Sequence, residues 1–199
     1  MRSSWTTGGA PEVGYGWAGE KVRLVALDKE RHFENALVWI NDPEVTKWTL
    51  VGDVPLTRLA EEDFFARMTG PQGSHPSDIS LAIETLSGEH IGFSGFHRIE
   101  WRHGAAHTGT IIGADGFRGQ GYGSDAARTR TRYAFEVLGL RLLLSEVIAD
   151  NVASFRMLLG AGYKEVGRIP RRHWKRGAYR DEILLAAERD DYAPPDSAS

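Results

Sequence analysis

The chain has 199 residues, 41% of them hydrophobic and 26% charged, a balance that suits one soluble globular domain with a sizeable core. A net charge of -3 gives no general attraction to nucleic acid or anionic membrane, and no apolar run reaches membrane-spanning length. The lack of cysteine excludes disulfides, thiolate metal sites and a cysteine nucleophile together, and a cytoplasmic protein without a metal is the expectation.

Residues 1–19 are rich in Gly, Ser and Thr and read as a mobile arm, in which Trp5, Tyr15 and Trp17 are out of character. Lys21 to Leu27 alternates as a first strand, with Val22, Leu24 and Ala26 on one face. From Lys29 to Ile40, the residues Phe33, Ala36, Leu37 and Ile40 fall at helical spacing, and Asn41-Asp42-Pro43 ends that helix. Glu44 to Trp48 suits a short turn, and Leu50 to Leu56 reads as loop. Thr57 is placed to cap a second helix whose early Glu61, Glu62 and Asp63 suit a positive helix start, with Phe64, Phe65 and Met68 on its buried side. After a Pro- and Gly-containing loop from Gly70 to Ser77, Ile79 to Glu84 alternates as a strand. Ser87-Gly88 turns the chain, Ile91 to Ile99 returns, Arg102-His103-Gly104 turns it again, and Thr108 to Ile112 is the next strand.

That strand runs into Ile111-Ile112-Gly113, then a loop with Arg118, Gly119, Gln120, Gly121, Tyr122 and Gly123, then Ser124-Asp125 opening a helix. Alternate glycines let backbone N–H groups approach a ligand, and a new helix adds unpaired N–H groups at its positive end. With Arg118 this suits a phosphate. The loop lacks the lysine of a P-loop, and Ser124 stands where a dinucleotide fingerprint needs its third glycine. Ala127, Ala134 and Leu138, flanked by Tyr133 and Val137, mark the helix's apolar face. Arg128, Arg130 and Arg132 are expected on a solvated face, Arg128 within reach of a phosphate, and Gly139 stops the helix.

Leu142 to Ile148 reads as a buried strand, and Ala153 to Leu159 as a short helix after Asp150-Asn151. Tyr163 to Arg168 and Tyr179 to Ala187 read as two closing strands. The basic segment Arg171 to Arg176, with Trp174 inside it, is expected to be a solvated hairpin tip, and residues 189–199 a disordered tail.

Arg118-Gly119-Gln120-Gly121-Tyr122-Gly123 resembles the acetyl-CoA signature of the GNAT N-acetyltransferases, an Arg or Gln followed by x-x-Gly-x-Gly or Ala. Asp150-Asn151-Val152-Ala153-Ser154 followed by Gly162-Tyr163 resembles a later segment of that family. Asn41-Asp42-Pro43-Glu44-Val45, Pro55-Leu56-Thr57 and Arg176-Gly177-Ala178-Tyr179-Arg180-Asp181 are similar to its RimJ/RimL-like branch, so the resemblance covers residues 20–188 as one acetyltransferase domain. It implies an α/β (α+β) fold: a single mixed, mostly antiparallel sheet of about seven strands, two central parallel strands splayed, and about four to five flanking helices.

The resemblance also implies a reaction: transfer of an acetyl group from acetyl-CoA to a primary amine, of a protein N-terminus or a small molecule, by direct attack in a ternary complex. The main chain of Gly119, Gln120, Gly121, Tyr122, Gly123 and Ser124, with Arg118, would hold the pyrophosphate. The backbone of Ile111, Ile112 and Gly113 would run along the pantetheine, with Asn151 bonding it from the other side. Many relatives carry a tyrosine where this chain has Leu158; Ser154 is then the candidate beside the sulfur, since Tyr163 occupies a packing position. Glu146 and His107 are the first candidates for a base, with His97 and Glu100 behind them, and a route without a dedicated base stays open. Trp39 and Trp48 are candidates for shaping the acceptor pocket. The expected partner is a small-molecule or peptide amine, with no membrane or nucleic acid and a homodimer left open. A non-catalytic acyl-CoA-binding module on the same fold is the alternative, and a nucleotide-dependent enzyme using the glycine loop a third reading.

Overall fold

The computed structural model describes residues 17–71 and 73–192; most of the expected arm and residues 193–199 of the expected tail lie outside the described residues. Strands β1 (Val22–Ala26), β2 (Ile79–Thr85), β3 (His90–Glu100), β4 (Ala105–Ile112), β5 (Leu142–Ile148), β6 (Lys164–Lys175) and β7 (Ala178–Glu188) form one sheet in the order β1-β2-β3-β4-β5-β7-β6. Every neighbouring pair is antiparallel except β4 and β5. Helices α1 (Lys29–Ile40), α2 (Arg58–Thr69), α3 (Tyr122–Glu136) and α4 (Val152–Leu159) cover it, so the mixed sheet with a central parallel pair is as expected.

Adjacent residues of a strand point to opposite faces, and the two cores divide accordingly. Leu81, Ile83, Phe96, Leu143 and Val147 pack with Ala126, Ala127 and Ala134 of α3 and Leu158 of α4. Ala82 and Phe93 pack with Phe33 and Ala36 of α1 and Phe65 of α2 on the other face. Asp28 caps α1 by accepting from the Arg31 N–H, and Thr57 caps α2 by accepting from Ala60.

Some elements differ from the sequence expectation. Strand β4 begins at Ala105, ahead of Thr108, and α3 begins at Tyr122, ahead of Ser124. Strand β6 runs through the basic segment to Lys175, helped by a register shift between Ile169 and His173 with Arg171 at φ 53°. Pro170 is tolerated there because β6 is an edge strand. Arg189–Asp191 form a 3-10 turn, and the Tyr192 ring packs on Phe135 of α3, so the chain is folded past the expected start of the tail. At the other end the Trp17 ring lies 4.0 Å from that of Tyr133.

The largest correction is Arg130. It is 0% exposed, not on a solvated face. Its guanidinium donates to Gly109 O at 2.7 Å, Thr110 Oγ1 at 2.6 Å and Ser94 Oγ at 3.2 Å, and reaches Tyr163 Oη at 3.4 Å. The outward-facing reading failed because a long charged side chain is assigned to water by default, whereas here hydroxyls and a carbonyl receive it.

Candidate active site

The parallel pairing of β4 with β5 ends after His107↔Leu144. Strand β4 continues along β3 to Ile112, and β5 along β7 to Ile148, so their facing edges part. Hydroxyls pin the fork: Thr108 Oγ1 donates to Leu144 O, and Ser145 Oγ to Thr108 O, each at 3.2 Å. Tyr163 Oη lies 2.9 Å from Thr108 Oγ1, buried as its packing position suggested. Beneath the fork lies Arg130, with no carboxylate paired to it and its Nε without a partner among the described residues.

Beyond the open edge of β4 lies the glycine loop. Gly119 and Gly121 adopt φ of 72° and 88°, a region that L side chains enter only with strain. Gly121 is the N-cap of α3 and supplies no side-chain cap, so the first N–H groups of the helix have no protein side chain to receive them. A Cβ added at Gly116 or Gly119 would meet nothing within 4 Å, so that side of the loop is bare. Gly123 is needed for close approach, since a Cβ there would sit 3.3 Å from Met157 Sδ and 3.5 Å from Ile112 Cγ1. This shape and charge fit a diphosphate.

Three details depart from expectation. Arg118 folds back onto Ile112 O at 3.1 Å and Gly113 O at 2.8 Å, and thereby braces the end of β4. The Gly113 N–H donates to Ile91 O and a Cβ at Gly113 would fall within the Trp39 indole, so Gly113 is spent on the protein rather than offered to a ligand. Lys21 enters unannounced: its Nζ donates to Gln120 O at 2.9 Å and lies 5.4 Å from the Tyr122 ring. Asp125, in the first turn of α3, puts it there by accepting from the main-chain N–H groups of Lys21 at 2.8 Å and Val22 at 3.1 Å.

Asn151 caps α4, its Oδ1 accepting from Ser154 N at 3.2 Å. Leu158 is buried in the main core.

On the α1/α2 face, His97 of β3 stands opposite His107 of β4, which stands opposite Leu144, two residues before Glu146 on β5. His97, His107 and Glu146 therefore share one face. His107 Nδ1 and Glu146 Oε1 are 3.0 Å apart, and Arg98 Nη2 reaches them at 2.9 and 3.3 Å. A guanidinium only donates, so both candidate bases accept from Arg98. Next to this cluster a cavity of about 600 Å³ opens between α1, α2, the loop after α1 and the strands, lined by Trp39, Glu61, Phe64, His97, Gly109 and Ile111 among others. His107, Glu146, Asn151 and Ser154 do not line it, and neither does Trp48, which packs against the Arg180 guanidinium. Burial, with the positive charges of Arg130 and Arg98, holds the His97 imidazole below its usual pKa against the pull of Asp78, so it is a neutral base at pH 7.

The loop after α1 is held by the basic segment. Lys175, buried, pairs with Asp53 and reaches Val51 O at 3.5 Å, and Arg176 bonds Pro43 O. His173 lies 2.8 Å from the buried carboxylate of Glu182. The expected solvated tip is thus a clasp on the wall of the cavity, although Arg171, Arg172 and Trp174 remain exposed.

Known proteins share this fold. Residues 21–164 match the acetyltransferase (GNAT) domain family. Over 93 residues the chain is 32% identical to the N-acetyltransferase YoaA of Bacillus subtilis, covering 47% of this chain and 52% of that protein. Over 50 residues it is 44% identical to an FsC-acetyl coenzyme A-N(2)-transacetylase of Aspergillus fumigatus, covering 25% of this chain and 21% of that one. The chain thus spans about half or less of the length of these relatives. In fold it is similar to the spermidine N-acetyltransferase of Vibrio cholerae, solved with CoA and spermine, with a TM-score of 0.76 at 17% identity over 86% of this chain and 97% of that one. A GNAT-family acetyltransferase of Bacillus anthracis gives a TM-score of 0.71 at 16% identity, over 87% and 98% of the two chains. No helix among the described residues is long and apolar enough to cross a membrane. With a family match over most of its length, a parted parallel pair and a bare glycine cradle at the start of α3, the chain belongs to the GNAT acetyltransferase family.

Proposed function

We propose that the protein is an acetyl-CoA-dependent N-acetyltransferase of the RimJ/RimL-like branch, acting on a primary amine that enters through the cavity on the α1/α2 face. The observation that carries this is the fork: two strands part beside an uncapped helix start, and the cavity reaches the same strand through Gly109, Thr110 and Ile111. Acetyl-CoA supplies the activated acetyl thioester. The N–H groups at the start of α3 hold its diphosphate, with Lys21 adding charge and Arg118 fixing the loop. Asn151 and Ser154 flank the other side of the fork. Arg130, unpaired behind β4, favours negative charge developing on the carbonyl oxygen or on the sulfur. His97 accepts the amine proton from within the cavity, while Glu146 and His107 anchor Arg98 at its edge. Nitrogen forms the new bond to the carbonyl carbon, the carbon–sulfur bond breaks, and a proton from the nitrogen ends on the thiolate. The spermidine N-acetyltransferase that shares the fold acts on a small amine, which favours a small amine here over a protein N-terminus.

The test is thiol release from acetyl-CoA with a panel of amines and peptides, with mass detection of the acetylated product. Transfer to at least one amine is expected. Tight CoA binding with no transfer to any acceptor would replace this reading with that of an acyl-CoA-binding module. Thermal protection by ATP or NAD but not by CoA would replace it with a nucleotide enzyme.

A further inference from the structure

Glu61 has no role in the reading given so far. It lies in the first turn of α2, is 7% exposed, and lines the cavity on the α1/α2 face. Its carboxylate has no hydrogen bond or ion pair among the described residues, and burial alone pushes its pKa up. This is unusual, because other buried acids of the protein are matched. Glu84 is held by Arg23 and His32, Glu182 by His173, and Asp125 by Arg128 and two main-chain N–H groups. Arg67 lines the same cavity, yet no ion pair joins it to Glu61. The cavity wall is largely apolar, with Leu27, Trp39, Phe64 and Phe93, and Asp63 and His97 also line it. A lone carboxylate in such a setting is costly unless a cation arrives to match it.

We propose that Glu61 is the charge anchor of the acceptor pocket: it holds a second, non-reacting ammonium at the far end of a short alkyl chain whose other amine meets the thioester beside Gly109 and Ile111. The acceptor class is therefore an aliphatic amine with two cationic ends, whose methylene body lies against Phe64, Phe93 and Trp39. The helix start at α2 does not compete for the carboxylate, because Thr57 already caps it through Ala60 N and the Glu61 N–H bonds Thr57 O within the helix. An entering ammonium offsets the cost of holding the Glu61 charge in this apolar setting, so that cost becomes selectivity for a cation. This inference rests on the acetyltransferase reading for the reacting end and on the cavity alone for the anchored end.

The experiment compares hexamethylenediamine with n-hexylamine, molecules that share one carbon-chain length with and without the second ammonium. Direct calorimetric binding and kcat/KM with acetyl-CoA are both measured. Wild type is expected to prefer the diamine by at least about tenfold in both. In Glu61→Gln that ratio falls to about unity, and in Glu61→Asp part of it remains. Thermal unfolding checks that the variants are folded. Equal binding of the two amines by wild type, or an undiminished diamine preference in Glu61→Gln, overturns the anchor. Diamine binding that depends on Glu61 with no acetylation of either amine upholds the anchor and overturns acetyl transfer instead.

Discussion

At the scale of single residues, the site depends on backbone conformation more than on side-chain chemistry. Gly121 must hold φ 88° for α3 to start where it does, and any L residue there is strained by about 1–2 kcal/mol while tilting the N–H groups away. Gly121→Val is expected to weaken CoA binding by about a hundredfold or more, read by calorimetry, with the far-ultraviolet dichroism of the folded protein retained. Lys21 acts through charge at an exposed site, so Lys21→Ala is expected to weaken CoA about fivefold at low salt and less at high salt. A salt-independent loss would instead place Lys21 in the scaffold. Glu61 is the opposite case, a charge that opposes folding. Its folded pKa is raised above 4.5, so the stability it contributes is present below that value and lost as pH rises. Glu61→Gln is therefore expected to raise the melting temperature at neutral pH and leave it unchanged below about 4.5. A lowered melting temperature at neutral pH would mean the carboxylate has a partner in solution.

At the scale of elements, the fork between β4 and β5 is a polar construction inside a hydrophobic sheet. Thr108, Ser145 and Tyr163 close its base, and Arg130 of α3 ties Ser94 of β3, Thr110 of β4 and Tyr163 before β6 into one network. Removing the guanidinium takes a charged donor from Gly109 O and from the hydroxyls of Ser94 and Thr110, and leaves them their longer mutual bonds of 3.3 and 3.2 Å. Arg130→Met is expected to cost about 2–4 kcal/mol, seen as a lower urea midpoint with an unchanged slope. A neutral result would show that the mutual bonds of Ser94, Thr110 and Gly109 suffice without the guanidinium. The β6–β7 hairpin plays a comparable part for the cavity, because Lys175 and Arg176 hold the loop after α1. In sequence these residues formed a basic run with nothing to attach to, since their partners Asp53 and Pro43 lie more than a hundred positions away.

At the scale of the whole molecule, a charged network under α1 sets the response to acid. His90 is held down at about 4, chiefly by burial and then by its neighbour His32. Burial raises the Glu84 carboxyl, but hydrogen bonds from His32 and Arg23 outweigh it and leave Glu84 below its ordinary value. Both groups have lowered folded pKa values, so the stability they contribute is full above the unfolded values and lost as pH falls. The melting temperature is expected to hold near neutrality, to decline from pH 6.5 toward about 4 as the unfolded chain takes up a proton at His90, and to fall again below 4.5 through Glu84. His90→Gln should remove the upper part of that decline. The sequence by itself determined what is local: the alternation of the strands, the helical spacing of α1 and α2, the turns, and the Arg-x-x-Gly-x-Gly run whose glycines are required by two positive φ values and one close approach. It could not determine where long polar side chains end. Arg130, Lys21, Lys175 and Glu61 each fit a solvated default in one dimension, and their partners, or in the case of Glu61 the lack of one, exist only when segments distant in the chain are brought side by side. Tertiary structure alone decided those four positions, because the energy of a charge is fixed by what surrounds it in space and not by what precedes or follows it in the chain.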